Sequence, residues 1–431
     1  MHTKNANSYL EARRLSSDSL CDSFISRKIM LFDLSVYGHH PAYLRHLISY
    51  WCEQALPGHL DIVVSPQFLK YHSDVVELAQ EYGDQTVKFV AISTQEEVVL
   101  KPRKSGVFRT LRAFQEWYLA CRYAQLLKAS HCLMMYFDTC QLPLLLGAPF
   151  PCGFSGIYFK PTFHYTDFGD DVPSWQERVQ HWREKLLLSR VLRRPELKTL
   201  FCLDPFVGKY IEKFYQSKKA IPLPDPVQIP NCFDDQGWLL RQQLDITPGR
   251  QTFLLFGALD KRKGIQQLLE AVLMLPASLC QKLCLLIVGR VKLTEKALME
   301  SQLEAVRRAR PVQVVTRDQF IPESEVHAYF QLADVVLAPY QRHIGMSGIL
   351  QLAAAAQKPV LSSNYGLMGE IVQRHGLGLT VDSTVPDHIA KGLTRFLLEP
   401  VSSLCDRNKM QSFSEQNTAE EFAKIIFQYL A

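Results

Sequence analysis

Apolar positions fall into short continuous runs separated by stretches with helical spacing. Lys28–Val36 (KIMLFDLSV) is such a run; it ends at Tyr37-Gly38 and predicts a strand. From Pro41 onward Tyr43, Leu44, Leu47, Ile48 and Trp51 share one helical face, so strand, glycine turn and helix follow in order. Leu60–Val64 and Val87–Ile92 predict two more strands, with a helical stretch through Val75, Val76 and Leu78 between them. A long helix is predicted from Val107 to Lys128, before the strand His131–Phe137, which closes at Asp138. Strand and helix in alternation predict a parallel sheet with helices on both faces.

The middle of the chain breaks this rhythm. Gly156–His164 reads as extended chain, Trp175–Arg194 carries Trp182, Leu186–Leu188 and a basic end, Thr199–Cys202 is a short strand and Lys209–Tyr215 is helical. Ala220–Pro230 (AIPLPDPVQIP) holds four prolines in eleven residues and predicts a linker. The alternation then restarts. Strands are predicted at Thr252–Phe256, Leu283–Val288, Val312–Val315, Asp334–Ala338, Pro359–Ser362 and Leu379–Val381, with helices between them. Two such halves predict two doubly wound α/β domains with a cleft between them, and ligands outside the carboxyl ends of the strands.

Length agrees. The chain has 431 residues, and single cores stop growing at roughly 250–300. The expected divisions are an N-terminal extension over 1–25, polar and poorly ordered, a first domain over 26–222, a linker over 223–250, a second domain over 251–410 and a final segment over 411–431. The net charge of +5 is too weak and too spread for a nucleic-acid binder. Eleven cysteines are scattered without a CxxC pair, which argues against a zinc knuckle and for a reducing, intracellular compartment. No 18-residue apolar run predicts a membrane-spanning helix, and the N-terminus lacks the apolar core of a secretory signal.

Two stretches carry candidate chemistry. In Phe253–Ala271 a strand ends at Gly257, a loop presents Lys261, Arg262 and Lys263, and Gly264 opens a helix. Cations beside a helix start suit a diphosphate; a solvated charged loop is the plain alternative. In Ala338–Val360 a strand enters a loop with Gly345, Ser347 and Gly348, followed by an Ala-rich helix. That arrangement suits a phosphate at the helix start, or close packing of the helix on the sheet.

The order Gly257-x5-Lys263-Gly264, LIVG ending at Gly289, LADVVLAPY, the small-residue helix with KPV, YGLMGE and GLGLTVD resembles the C-terminal half of a GT-B glycosyltransferase. The similar type is the large retaining family that includes sucrose synthases and many polysaccharide glycosyltransferases. The resemblance spans roughly residues 250–385. More loosely, the strand followed by GHHPAYLRHL resembles the first loop facing the donor sugar, and Thr418–Leu430 resembles the C-terminal helix that returns to the first domain. The resemblance implies a GT-B fold of two Rossmann-like domains facing across a cleft. It implies a nucleoside diphosphate sugar as co-substrate, with no further cofactor and no metal, and a polysaccharide, lipid-linked or small hydroxyl acceptor. Lys263 falls on the family lysine that neutralises the diphosphate. The family arginine position holds Ala258, which leaves Arg262 as substitute. Ile344 and Leu352 stand where the family has two glutamates, and Gln351 is placed to take the ribose. Glu370 matches the acidic residue after the later glycine loop. Gly38, His39 and His40 face the donor sugar; Gly257, Gly289, Gly345, Ser347 and Gly348 line the donor site.

Asp138, at the same strand edge, reads as a hydrogen-bond acceptor for acceptor hydroxyls or as a loop cap. His164 is a further candidate. The basic stretch Trp182–Arg194 reads either as a peripheral contact to an anionic membrane or as a surface helix docked on the first domain. The alternative to an enzyme is a non-catalytic scaffold or partner of an active transferase.

Overall fold

A computed structural model describes residues 27–82, 86–100, 106–161, 163, 175–226, 236–343 and 345–430. The 1–25 extension, His164, Ile344, Cys21 and Cys232 lie outside the described residues. The chain divides into two compact units.

Unit 1 comprises the described residues up to Pro161, Trp175–Leu223 and the chain from Phe422. Its sheet contains β1 (Lys28–Phe32), β2 (His59–Val64), β3 (Val87–Ala91), β4 (His131–Met134), β5 (Gly153–Tyr158), β6 (Leu197–Cys202) and β7 (Ala220–Pro222). They run in the order β3-β2-β1-β4-β5-β6-β7, and every pairing is parallel. Leu31 stands opposite Ile62 and Leu133 in register. The central strands are buried on both faces, which is why they read as continuous apolar runs rather than alternating ones. The direction of winding reverses at β1, so β1 and β4 flank the switch point.

Two expectations change here. The strand predicted over Lys28–Val36 stops at Phe32, because the Asp33 carboxylate accepts a hydrogen bond from the Ser35 amide at 3.0 Å and bends the chain into an Asx turn. The proline-rich linker begins with a strand: Ala220–Pro222 pairs with β6 at the sheet edge, where a proline at the strand end is tolerated. The helix Gln236–Gln243 occupies the later part of the predicted linker.

The last helix, Ala419–Leu430, supplies Phe422, Ala423, Ile426, Phe427 and Leu430 to the core of unit 1. These positions form one helical stripe. Phe422 packs against Tyr43 with ring centres 4.8 Å apart and Phe427 against Trp51 at 5.3 Å.

Unit 2 comprises the described residues of Thr162–Ser174 and Pro224–Glu421. Its strands are β8 (Gln251–Phe256), β9 (Leu283–Val288), β10 (Gln313–Arg317), β11 (Val335–Ala338), β12 (Val360–Ser363) and β13 (Gly378–Val381). Their order is β10-β9-β8-β11-β12-β13, again all parallel. Phe253, Leu255, Leu268, Val272, Leu285, Leu337, Leu393 and Phe396 form the centre of one face. The switch point lies between β8 and β11.

Candidate active site

In unit 2 the chain leaves β8 at Gly257 and turns through Lys261–Lys263, a single 3₁₀ turn whose cap Asp260 accepts from the Arg262 amide at 3.1 Å. Gly264 follows at φ +69°, and a Cβ there would lie 2.1 Å from the Pro339 carbonyl, so the turn and the end of β11 approach through a glycine. The effect is to fold the Lys263 side chain back over the strand ends. Lys263 is 4% exposed. Its Nζ donates to the Phe256 carbonyl at 2.8 Å and to the Tyr340 hydroxyl, and lies 4.3 Å from the centre of the Tyr340 ring. Gly257 leaves the room: a Cβ there would sit 3.1 Å from the ammonium.

Tyr340, just after β11, is 1% exposed. Its carbonyl accepts from the Ser383 hydroxyl at 2.8 Å, and its own hydroxyl lies 3.2 Å from Ser347 Oγ. Arg262 stands beside the same ring, its guanidinium carbon 5.6 Å from the ring centre and its Nε 3.7 Å from Asp260. Among the described residues no carboxylate pairs with the Lys263 ammonium; its polar neighbours are a carbonyl and a phenol. A buried cation without a counter-charge is costly. Lys263, Arg262, Gly257 and Ser347 are thus brought together at one switch point. Tyr340, which links them, ends the LADVVLAPY run, and nothing local in that run signals its contact with Lys263.

Other expected donor residues are placed differently. Gln351 is 1% exposed, and among the described residues neither Oε1 nor Nε2 has a hydrogen-bond partner. Glu370 is half-buried and pairs with Arg374 one turn later in its own helix, Gly366–Arg374, so its carboxylate serves that helix. Gly289 is explained by packing, since a Cβ there would lie 1.9 Å from the Gly257 carbonyl. Gly345 is buried at φ +100°. Gly348 faces open space, with nothing within 4 Å of a Cβ built on it.

In unit 1, Gly38 (φ +82°) turns the chain after β1. His40 Nδ1 lies 2.8 Å from Asp33 Oδ2, and Asp33 is 3% exposed. Burial disfavours the charged imidazole, but the Asp33 hydrogen bond and charge outweigh it and hold the His40 pKa above the ordinary value. His39 is exposed and stacks near Tyr43 and Phe159, with ring centres 5.9 and 6.2 Å away. Asp138 does not reach toward a ligand: its two oxygens accept from the Phe159 and Lys160 amides, each at 2.9 Å. Burial pushes its carboxyl up to about 6 against those backbone bonds. The structure therefore gives Asp138 the loop-capping role.

Asp33 also lines a cavity of about 280 Å³ with Arg109, Arg112, Glu116, Tyr136 and Thr139. It lies at the carboxyl ends of β1 and β4, the switch point of unit 1. Arg112 is bonded to Glu116 at 2.7 Å. Asp33 lies inside the apolar run Lys28–Val36, and Arg109 and Arg112 lie on the helix Gly106–Leu126, so their sequence positions carry no signal of a shared cavity. Among the described residues no group of three or more His, Cys, Asp or Glu side chains is arranged to hold a metal ion, and no helix is long and apolar enough to cross a membrane.

The comparisons with known proteins bear on both halves. Solved structures that share the fold include sucrose-phosphate synthase from Thermosynechococcus elongatus, at TM-score 0.67 and 17% identity over 94% of this chain and 98% of that one. They also include Anabaena HepE in complex with UDP and glucose, at 0.61 and 12% over 94% and 99%. A third is WaaG, a glycosyltransferase involved in lipopolysaccharide biosynthesis, at 0.55 and 16% over 92% and 95%. The two doubly wound units therefore share the GT-B fold of these structures. Residues 237–419 match the model of the glycosyl transferases group 1 family. A curated relative, the lipopolysaccharide 1,2-N-acetylglucosaminetransferase of Salmonella typhimurium, is 26% identical over 232 residues. The match takes in 51% of this chain and only 55% of that relative's length.

Proposed function

We propose that the protein transfers a hexosyl group from a nucleoside diphosphate sugar, of the uridine type, to a hydroxyl of a carbohydrate or lipid-linked acceptor, with retention of configuration and without a metal. The observation that carries this reading is the buried Lys263 ammonium, which among the described residues has no carboxylate partner at the switch point of unit 2. A donor diphosphate supplies the missing counter-charge. As the bond from sugar to phosphate breaks, negative charge grows on the leaving diphosphate, and Lys263 with Arg262 stabilises that charge more than it stabilises the bound donor. Ser347, beside the Tyr340 hydroxyl, donates to a phosphate oxygen. The uridine assignment is supported by the UDP in the HepE complex, and the acceptor class by the lipopolysaccharide relatives.

In unit 1 the cavity lined by Asp33, Arg109, Arg112 and Glu116 offers donors and acceptors suited to sugar hydroxyls. The Asp33–His40 pair fixes the orientation of the imidazole within unit 1. A cytoplasmic site of action is part of this proposal; it rests on cysteines that form no disulfide among the described residues.

The test is calorimetric titration of the whole chain with UDP, GDP and ADP, repeated on Lys263→Ala. Binding of UDP that the variant loses supports the donor site; binding of none at millimolar ligand overturns it. A second reading, a non-catalytic partner of an active transferase, is favoured by the sealed Gln351 amide. It would show as Lys263-dependent UDP binding with no hydrolysis or transfer of the sugar.

A further inference from the structure

A second cavity in unit 1, of about 740 Å³, is lined by Arg193, Lys198, Lys218 and Lys219 together with Phe214 and Tyr429. We propose that it is a binding site for a phosphate-rich anion, separate from the Lys263 site. Lys198 is the second residue of β6 and Lys219 immediately precedes β7, so the cavity lies at the amino edge of the sheet. The Asp33 cavity lies at the carboxyl edge. A six-residue strand separates the two edges by about 20 Å.

The lining carries four cations and no carboxylate. Lys219 Nζ is anchored on the Arg194 carbonyl at 2.7 Å. Burial and the charge of Lys198 hold the Lys219 pKa below the ordinary lysine value, and Glu196, which does not line the cavity, offsets this only in part. Like charges gathered in one concavity repel each other, and a bound polyanion removes that repulsion. Phe214 and Tyr429, 55% and 44% exposed, add aromatic surface for an organic portion of the ligand.

Phosphate in this position has two sources: a soluble phosphorylated compound, or the headgroup of an anionic phospholipid. The helix Trp175–Val191 bears on the second. Trp175, Val179, Trp182 and Leu186 are all exposed. Their spacing places them on one helical face, and that face continues to Ser189, which lines the cavity. An apolar stripe leading into a cationic pocket fits a lipid whose phosphate enters the pocket.

The experiment uses the full chain carrying Lys263→Ala, which silences the donor site, with and without Lys198→Ser and Lys218→Ser. Both lysines are exposed, so the fold is retained, as circular dichroism checks. Inorganic pyrophosphate is titrated by calorimetry, and vesicles of phosphatidylglycerol or of phosphatidylcholine are tested by co-sedimentation. Pyrophosphate binding that survives Lys263→Ala and weakens about tenfold or more in the double lysine variant supports the site. Sedimentation with phosphatidylglycerol alone, lost in the same variant, supports it and names the lipid source; pyrophosphate binding without sedimentation supports it and names the soluble source. Neither binding, or binding indifferent to Lys198 and Lys218, overturns it. Because Lys263 is absent throughout, failure of the donor reading leaves this result unaffected.

Discussion

Lys263 and Tyr340 are 77 residues apart in sequence, yet the ammonium donates to the phenol hydroxyl and lies 4.3 Å from the ring centre. One aromatic side chain thus both holds the cation and, through Ser347 at 3.2 Å, ties it to the loop ahead of the helix Ile349–Ala355. Tyr340→Phe keeps the ring and removes the hydroxyl, leaving the ammonium with the Phe256 carbonyl. We expect unfolding free energy to fall by about 1–2 kcal/mol, and the UDP-induced stabilisation to shrink. Urea titration with and without UDP measures both.

Gln351 gives a prediction of opposite sign. Its buried amide has no partner among the described residues, and an unsatisfied buried polar group costs about 1–3 kcal/mol. Gln351→Leu is therefore expected to raise the melting temperature of the free protein. A lower melting temperature would mean that the amide has a partner in solution, and a loss of UDP affinity would restore its role toward the ribose.

The Asp33–His40 pair sets a pH step. The folded pKa of His40 stands above the ordinary 6.5, so its contribution to stability is fully present below about 6.5 and is lost as pH rises through the folded value. Stability measured across neutral and mildly alkaline pH should show this decline, and His40→Asn should flatten it.

His46 and His131 act in the other direction. Burial, aided by Arg45 for the first and by Arg27 and Lys198 for the second, lowers each pKa to about 4. The unfolded chain binds these protons first, so stability falls as pH drops from about 6.5 toward 4. The loss is on the order of 3 kcal/mol for each histidine. His46→Leu should remove its share of this acid-side loss, read by urea titration at successive pH values.

Phe422 is fully buried in unit 1 beside Tyr43. Phe422→Ala is expected to cost about 3–5 kcal/mol. The loss should appear in the unit that contains Tyr43 and Trp51, which fluorescence of Trp51 and hydrogen exchange of β1 would report.

Much of this protein was legible in its residues. The apolar runs Leu283–Val288 and Leu60–Val64 predict buried parallel strands because only a strand covered on both faces is apolar throughout. The GHHP and KRKG stretches predict loops at strand ends because glycine and charge cannot continue the core. The turn that carries Lys261, Arg262 and Lys263 is legible because the residues that form it are neighbours in sequence. Tertiary structure alone decided that Tyr340 is the partner of Lys263, that Asp33 ends β1 and holds His40, that Asp138 caps a loop, that Gln351 is sealed, and that Arg193, Lys198 and Lys219 surround one cavity. Periodicity and turn chemistry are local, so sequence reports them directly. The counter-charge, burial and hydrogen-bond partner of a side chain depend on chain segments tens of residues away, and only the packed fold brings those segments together.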